Sequence, residues 1–227
     1  ELAIAEAAGR TQLGQYDTAL ELLAGREDED ALKTLNTTFF TLTQEAEPAT
    51  FLDFAFADEP DGLSPATQND VAARLIELGF PERAMAFLTG PAQREAAAER
   101  RYLRAAAAIG TASYADAVDE MLGLTTPRAN DLRAQAYAGL GEHRAALESA
   151  NSDAPDSTLE FRAGAWERLS VDEDTVLSTF ARSVLEEPAE TAATTLEDRR
   201  AILAQSQESR QAVEDLLLRF DGSGAEE

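Results

Sequence analysis

Apolar residues fall three and four apart along most of this chain. Val71, Leu75 and Leu78 keep that spacing, as do Leu159, Ala163 and Trp166, and later Val213, Leu216, Leu217 and Phe220. The period is that of one face of an α-helix. Strict apolar–polar alternation of β-branched residues is almost absent, so strands have little support. The pattern predicts paired helices over 2–13 and 16–24, 29–44 and 48–58, and 65–79 and 81–89. Further pairs follow over 91–109 and 113–122, 128–140 and 142–150, and 156–169 and 172–187, with one or two last helices over 190–220. Ser64-Pro65, Gly90-Pro91, Thr126-Pro127 and Ala154-Pro155 mark helix starts, because proline's missing N–H is not needed in the first turn. Ser64 and Thr126 are the expected N-caps, and the acidic run Glu27 to Asp30 the cap of the helix at 29–44.

A short phrase recurs on this background. It reads Leu13-Gly14-Gln15-Tyr16-Asp17-Thr18-Ala19-Leu20, then Leu78-Gly79-Phe80-Pro81-Glu82-Arg83-Ala84-Met85, then Leu140-Gly141-Glu142-His143-Arg144-Ala145-Ala146-Leu147. A looser copy runs from Gly110 to Val118, with Tyr114 and Ala117. Recurrence at roughly thirty residues, or a multiple of it, is the mark of a helical repeat array. The glycine ends one helix in the left-handed conformation that only glycine takes without cost. The alanine five residues on marks a close crossing of two helices. Tyr16, Tyr114 and His143 plug the turn. Seven residues before each glycine stand Ala7, Ala72 and Ala134, a small position on the first helix opposite the small position on the second.

A small residue in the first helix, followed by Gly-x-aromatic-x-x-Ala across the turn, resembles the tetratricopeptide repeat family. Residues 1–25, 70–90, 100–123 and 128–150 carry the likeness. Ala3, Gln68 and Asn130 stand where the family has a bulky residue, and the second helices are short. The resemblance implies an all-α, right-handed α-solenoid of antiparallel helical hairpins. About six hairpins are expected over 1–189, capping helices over 190–220 and a flexible acidic tail over 221–227. It also implies a concave face built by the first helices. Family members that clamp a terminal carboxylate use Lys, Asn and Arg; here Lys33 is the single lysine, so the likeness does not extend to that role.

Composition agrees with helix. Alanine makes up about a fifth of the chain, and Leu, Glu and Arg are abundant. Acidic residues number 43 against 19 basic, for a net charge of −24. No basic patch exists, so nucleic acid and anionic lipid are not expected as partners. The excess suits a solubilising surface, or an acidic groove for a basic peptide. Cysteine is absent, which removes disulfides, thiol catalysis and zinc–thiolate sites. No apolar run is long enough to span a membrane. The chain opens at Glu1 without a signal peptide, as expected of a processed or excised domain. Its Ala- and Arg-rich, Lys-poor usage points to a bacterial source. Cytoplasm and periplasm fit alike.

No catalytic constellation stands out. His143 is the one histidine and fills the slot held by Tyr16 in the first repeat, so it reads as packing. Glu27 to Asp30 and Asp172 to Asp174 lack the alternation and glycine of a calcium loop and read as solvated helix starts. Gly-rich phosphate motifs are missing, and no cofactor is expected. Phe39, Phe40, Phe51, Phe54 and Phe56 read as core, and Trp166 as the buried face of its helix. The expected function is a non-catalytic scaffold or adaptor that binds a protein or peptide, a basic one among the candidates. Tyr102, Arg104, Arg133 and Tyr137, on first helices, are the expected contact residues. A second copy of the chain is the other partner the sequence allows. The alternative is a small-ligand-binding or enzymatic repeat protein with a pocket in the concave interior.

Overall fold

The computed structural model describes residues 1–57, 62–90, 94–151, 156–171 and 175–186. Among them every regular element is helical and there is no strand, as the periodicity predicts. The helices are α1 (Leu2–Gln12), α2 (Tyr16–Leu23), α3 (Glu29–Glu45), α4 (Pro48–Ala55), α5 (Pro65–Glu77), α6 (Pro81–Phe87) and α7 (Arg94–Gly110). They continue with α8 (Tyr114–Glu120), α9 (Pro127–Gly139), α10 (His143–Ser149), α11 (Ser157–Ala163), α12 (Trp166–Leu169) and α13 (Val176–Glu186). The chain divides into two compact units, Glu1–Leu169 and Ser170–Glu227. The expected capping helices at 190–220 and the tail at 221–227 lie outside the described residues.

Helix starts follow the local rules. Ser64 Oγ accepts from the Thr67 amide, Thr126 Oγ1 from Ala129 and Asp28 Oδ1 from Ala31. Pro48, Pro65, Pro81 and Pro127 each open a helix.

One backbone bond repeats at five turns in the first unit. An amide two or three residues past each helix end donates to the carbonyl five residues back: Gln15 to Arg10, Phe80 to Leu75, Ser113 to Ala108, Glu142 to Tyr137 and Ala165 to Glu160. This is the wide bond of a Schellman-type ending, and it requires a left-handed residue. Gly14, Gly79, Gly141 and Gly164 supply four, with φ between +69° and +85°.

Three expectations are corrected here. In the looser copy the left-handed residue is Ala112, at φ +58°, while Gly110 closes α7. And 156–169 is not one helix. Gly164 breaks it, so Trp166 starts α12 instead of continuing the face of Leu159 and Ala163, and its ring meets Phe161 edge-on at 5.5 Å. The pair α11–α12 thus stands in place of 156–169 with 172–187, and the expected pair 29–44 with 48–58 is corrected too, because α3 and α4 do not pack closely along each other.

The alanine positions are core. Ala19, Ala84, Ala117 and Ala146 are buried, as are Ala7 and Ala72; Ala134 is half-buried. Removing the side chain from both sides lets α1 pack on α2, α5 on α6, α7 on α8 and α9 on α10. The first helices also pack on one another in succession, α1 on α3, α3 on α5, α5 on α7 and α7 on α9. Of the five phenylalanines expected in the core, Phe39 and Phe51 are buried there and Phe54 is half-buried against Tyr16, but Phe40 and Phe56 are exposed, which corrects that expectation for these two. The second unit is described by α13 alone, where Thr175 and Ser178 cap each other and Arg182 donates to the Ser170 carbonyl.

Candidate functional site

Several arginines of the first unit reach the carbonyls at helix ends. The last carbonyls of a helix lack intrahelical partners and carry partial negative charge. Arg104 Nε donates to the Leu88 carbonyl at 2.9 Å and its Nη2 to Gly90 at 3.1 Å, just past α6. Arg133 Nη2 donates to the Leu124 carbonyl past α8 and to Asn130 Oδ1, both at 2.8 Å, while its Nε is buried without a partner. Arg83 closes α4 through the carbonyls of Ala55 and Ala57, and Arg101 reaches the Leu122 carbonyl. Glu120 lies 3.8 to 3.9 Å from both Arg101 and Arg104.

Tyr102 donates or accepts at Thr126 Oγ1, 2.7 Å away, and its ring lies 4.9 Å beneath the Arg128 guanidinium. Arg128 in turn holds Glu99 at 2.7 Å. Tyr137 is half-buried, and its hydroxyl makes no hydrogen bond among the described residues. The four residues expected to form one contact surface therefore have separate neighbours. Two of them, Arg104 and Arg133, spend their donors on backbone carbonyls.

Polar side chains join several of the helices. Gln68 Oε1 accepts from Arg100 Nη2 at 2.7 Å, and Asn130 donates to Asn151 Oδ1 at 2.8 Å. Arg100 is 2 % exposed and also reaches Asn69 Oδ1 and the carbonyls of Thr89 and Pro65. Asn36 Oδ1 accepts from the Ser64 amide and Thr67 hydroxyl at 2.7 Å each. Neighbouring hairpins are joined by these bonds as well as by apolar contact. Asn36, Asn69 and Arg100 were not singled out from the sequence; their only signal was polarity inside a helical stretch.

Three of the hollows among the described residues bear on binding. An open groove of about 790 Å³ lies between α1 and α3. Its five threonines, Thr11, Thr34, Thr37, Thr38 and Thr41, bond their hydroxyls back to carbonyls of their own helix. An apolar crevice of about 770 Å³ lies among α2, α3 and α4. A shallower cleft of about 470 Å³ runs beside His143, Arg144 and Arg162. His143 is half-buried with Nδ1 shielded and unpartnered. Burial first and Glu45 second raise the Tyr16 pKa; burial first and Glu99 second raise that of Asp70. Among the described residues no three His, Asp or Glu side chains gather as metal ligands, and no helix is long and apolar enough to cross a membrane.

No family model matches the chain, nor does any curated protein or solved structure.

Proposed function

We propose that the chain is a non-catalytic interaction module, a right-handed α-solenoid of the tetratricopeptide type that holds a protein or peptide on the face of its first helices. The succession of α1, α3, α5, α7 and α9, each packed on the next, carries this reading, because it makes one continuous face from separate hairpins. The groove between α1 and α3 is one stretch of that face. Tyr102 and Tyr137 are its aromatic contacts. Arg104 and Arg133 support it from behind by fixing the ends of α6 and α8. The acidic surface speeds the arrival of a basic partner and makes its on-rate sensitive to salt.

The test is a pull-down with the chain as bait at two salt concentrations, with mass spectrometry of what is retained. The recovered partner is then titrated against Tyr102→Ala/Tyr137→Ala. Loss of affinity in a folded variant supports the face; unchanged affinity moves the site elsewhere.

A further inference from the structure

We propose that the crevice among α2, α3 and α4 is a docking site for a basic amphipathic helical segment of a partner protein. It is a surface distinct from the first-helix face, and it stands or falls separately.

The floor is apolar. Leu20, Leu23, Leu35, Phe39 and Phe54 line it, and the opening of about 770 Å³ has room for several side chains of an incoming helix. The rim is acidic, formed by Asp17, Glu21 and Glu27, all exposed. None of the three has an ion-pair partner among the described residues. The one cation on the rim, Arg26, gives its Nε to the Leu22 carbonyl at the end of α2.

The arrangement works against α2 when nothing is bound. Asp17 and Glu21 are like charges one turn apart on a helix of eight residues. Glu21 also sits near the C-terminal end, where the helix dipole disfavours an anion and where Arg26, from beyond the helix, is the one cation on the rim. Departures from local rules of this kind concentrate where function requires them. A cationic ligand relieves both conflicts. A neutral apolar molecule would fill the floor and leave the carboxylates unanswered. A second copy of a chain with net charge −24 would bring like charge to the rim. A helix with a leucine-type face flanked by Lys and Arg satisfies floor and rim together.

The chain has no cysteine, so Ala24→Cys accepts a single environment-sensitive dye at the crevice edge. The probe is a synthetic amphipathic helix of Leu and Lys, compared with versions carrying Glu for Lys and Ser for Leu. The dye should respond to the Leu/Lys peptide alone. Asp17→Lys/Glu21→Lys should weaken binding by about tenfold or more, whereas Glu142→Lys/Glu148→Lys, with the same change in net charge, and Tyr102→Ala/Tyr137→Ala should leave it close to wild type. Equal weakening by the two charge reversals would mean unspecific attraction and overturn the proposal. So would undiminished binding of the Ser peptide, peptide binding with a silent dye, or a concentration-dependent dimer that Leu20→Asn dissolves.

Discussion

Pro81, the first residue of α6, lies against Gly110, the last residue of α7, so closely that a methyl group on Gly110 would come within 2.8 Å of the proline ring. Tyr114 makes the same approach to Gly139 one hairpin later. In these two hairpins the residue that opens the second helix therefore seats on the end of the next first helix, and glycine is needed there for space and not for its backbone freedom. Gly110→Ala should destabilise the protein by about 1–3 kcal/mol, since the proline ring cannot swing away. Gly9, inside α1 with nothing near its missing Cβ, sets the contrast. Gly9→Ala should stabilise by up to about 1 kcal/mol through helix propensity alone. Urea melts of the two variants should move in opposite directions.

Ala112 holds a left-handed conformation at φ +58° where the other four turns use glycine. A non-glycine residue there carries strain of roughly 1 kcal/mol. Ala112→Gly should raise the melting temperature despite the greater freedom that glycine gives the unfolded chain. A lower melting temperature would show that the turn at 111–113 gains more from the methyl group than it loses in strain.

The alanines at the hairpin crossings have no spare room. Ala84 and Ala146 are fully buried, and Leu at either position should cost about 1–3 kcal/mol by forcing the helices apart. Thermal melts that match wild type would remove the crossing-point role.

The hairpins were legible because their signals are local. Gly14, Gly79 and Gly141 carry backbone requirements that a single residue must meet, and the alanines at fixed offsets report the crossings. The turn at Gly164 escaped because Leu159, Ala163 and Trp166 keep helical spacing straight through it, although Gly164-Ala165-Trp166 repeats the Gly-x-aromatic phrase. The copy around Tyr114 was misregistered because the sequence offers a glycine at 110 for a reason that lies on another helix, the Pro81 ring. The contact residues were harder still. Arg104 and Arg133 do sit on first helices, but spacing does not reveal that a guanidinium will find the carbonyls at the end of a neighbouring helix. The acidic rim at Asp17 and Glu21 was masked by the chain's general acidity, and only its placement beside an apolar crevice sets it apart.

Arg100 joins α7 to α5 through the side chains of Gln68 and Asn69 and the Pro65 carbonyl, and to the end of α6 through the Thr89 carbonyl. That spread of acceptors fits the planar fork of guanidinium and not a single ammonium. Arg100→Lys keeps the charge and should still cost about 2–4 kcal/mol, because buried acceptors lose their donors. Arg162→Lys, on the exposed side of α11, should change little. Denaturant midpoints that fall together for both would show that the network contributes nothing specific.

Asp70 gives the fold a pH dependence of unusual sign for a carboxylate. It lies half-buried on α5, and its pKa is raised, by burial first and by Glu99 second. The folded protein thus holds this proton more tightly than the unfolded chain does. The favourable contribution is complete below the unfolded pKa and is lost as pH rises through the folded one, so ionised Asp70 opposes folding at neutral pH. Asp70→Asn keeps the shape and removes the charge, and it should raise the melting temperature at neutral pH. The gain should shrink as pH falls through the carboxylate range, where the wild-type side chain becomes neutral. Arg128, 2.7 Å from Glu99, partly screens Glu99 from Asp70. In an Arg128→Gln background Glu99 repels Asp70 more strongly, and the neutral-pH gain from Asp70→Asn should be larger. Melting curves from neutral to acid pH on the four proteins of this cycle decide the matter. A gain that stays constant across the range would mean that the charge of Asp70 is not its source.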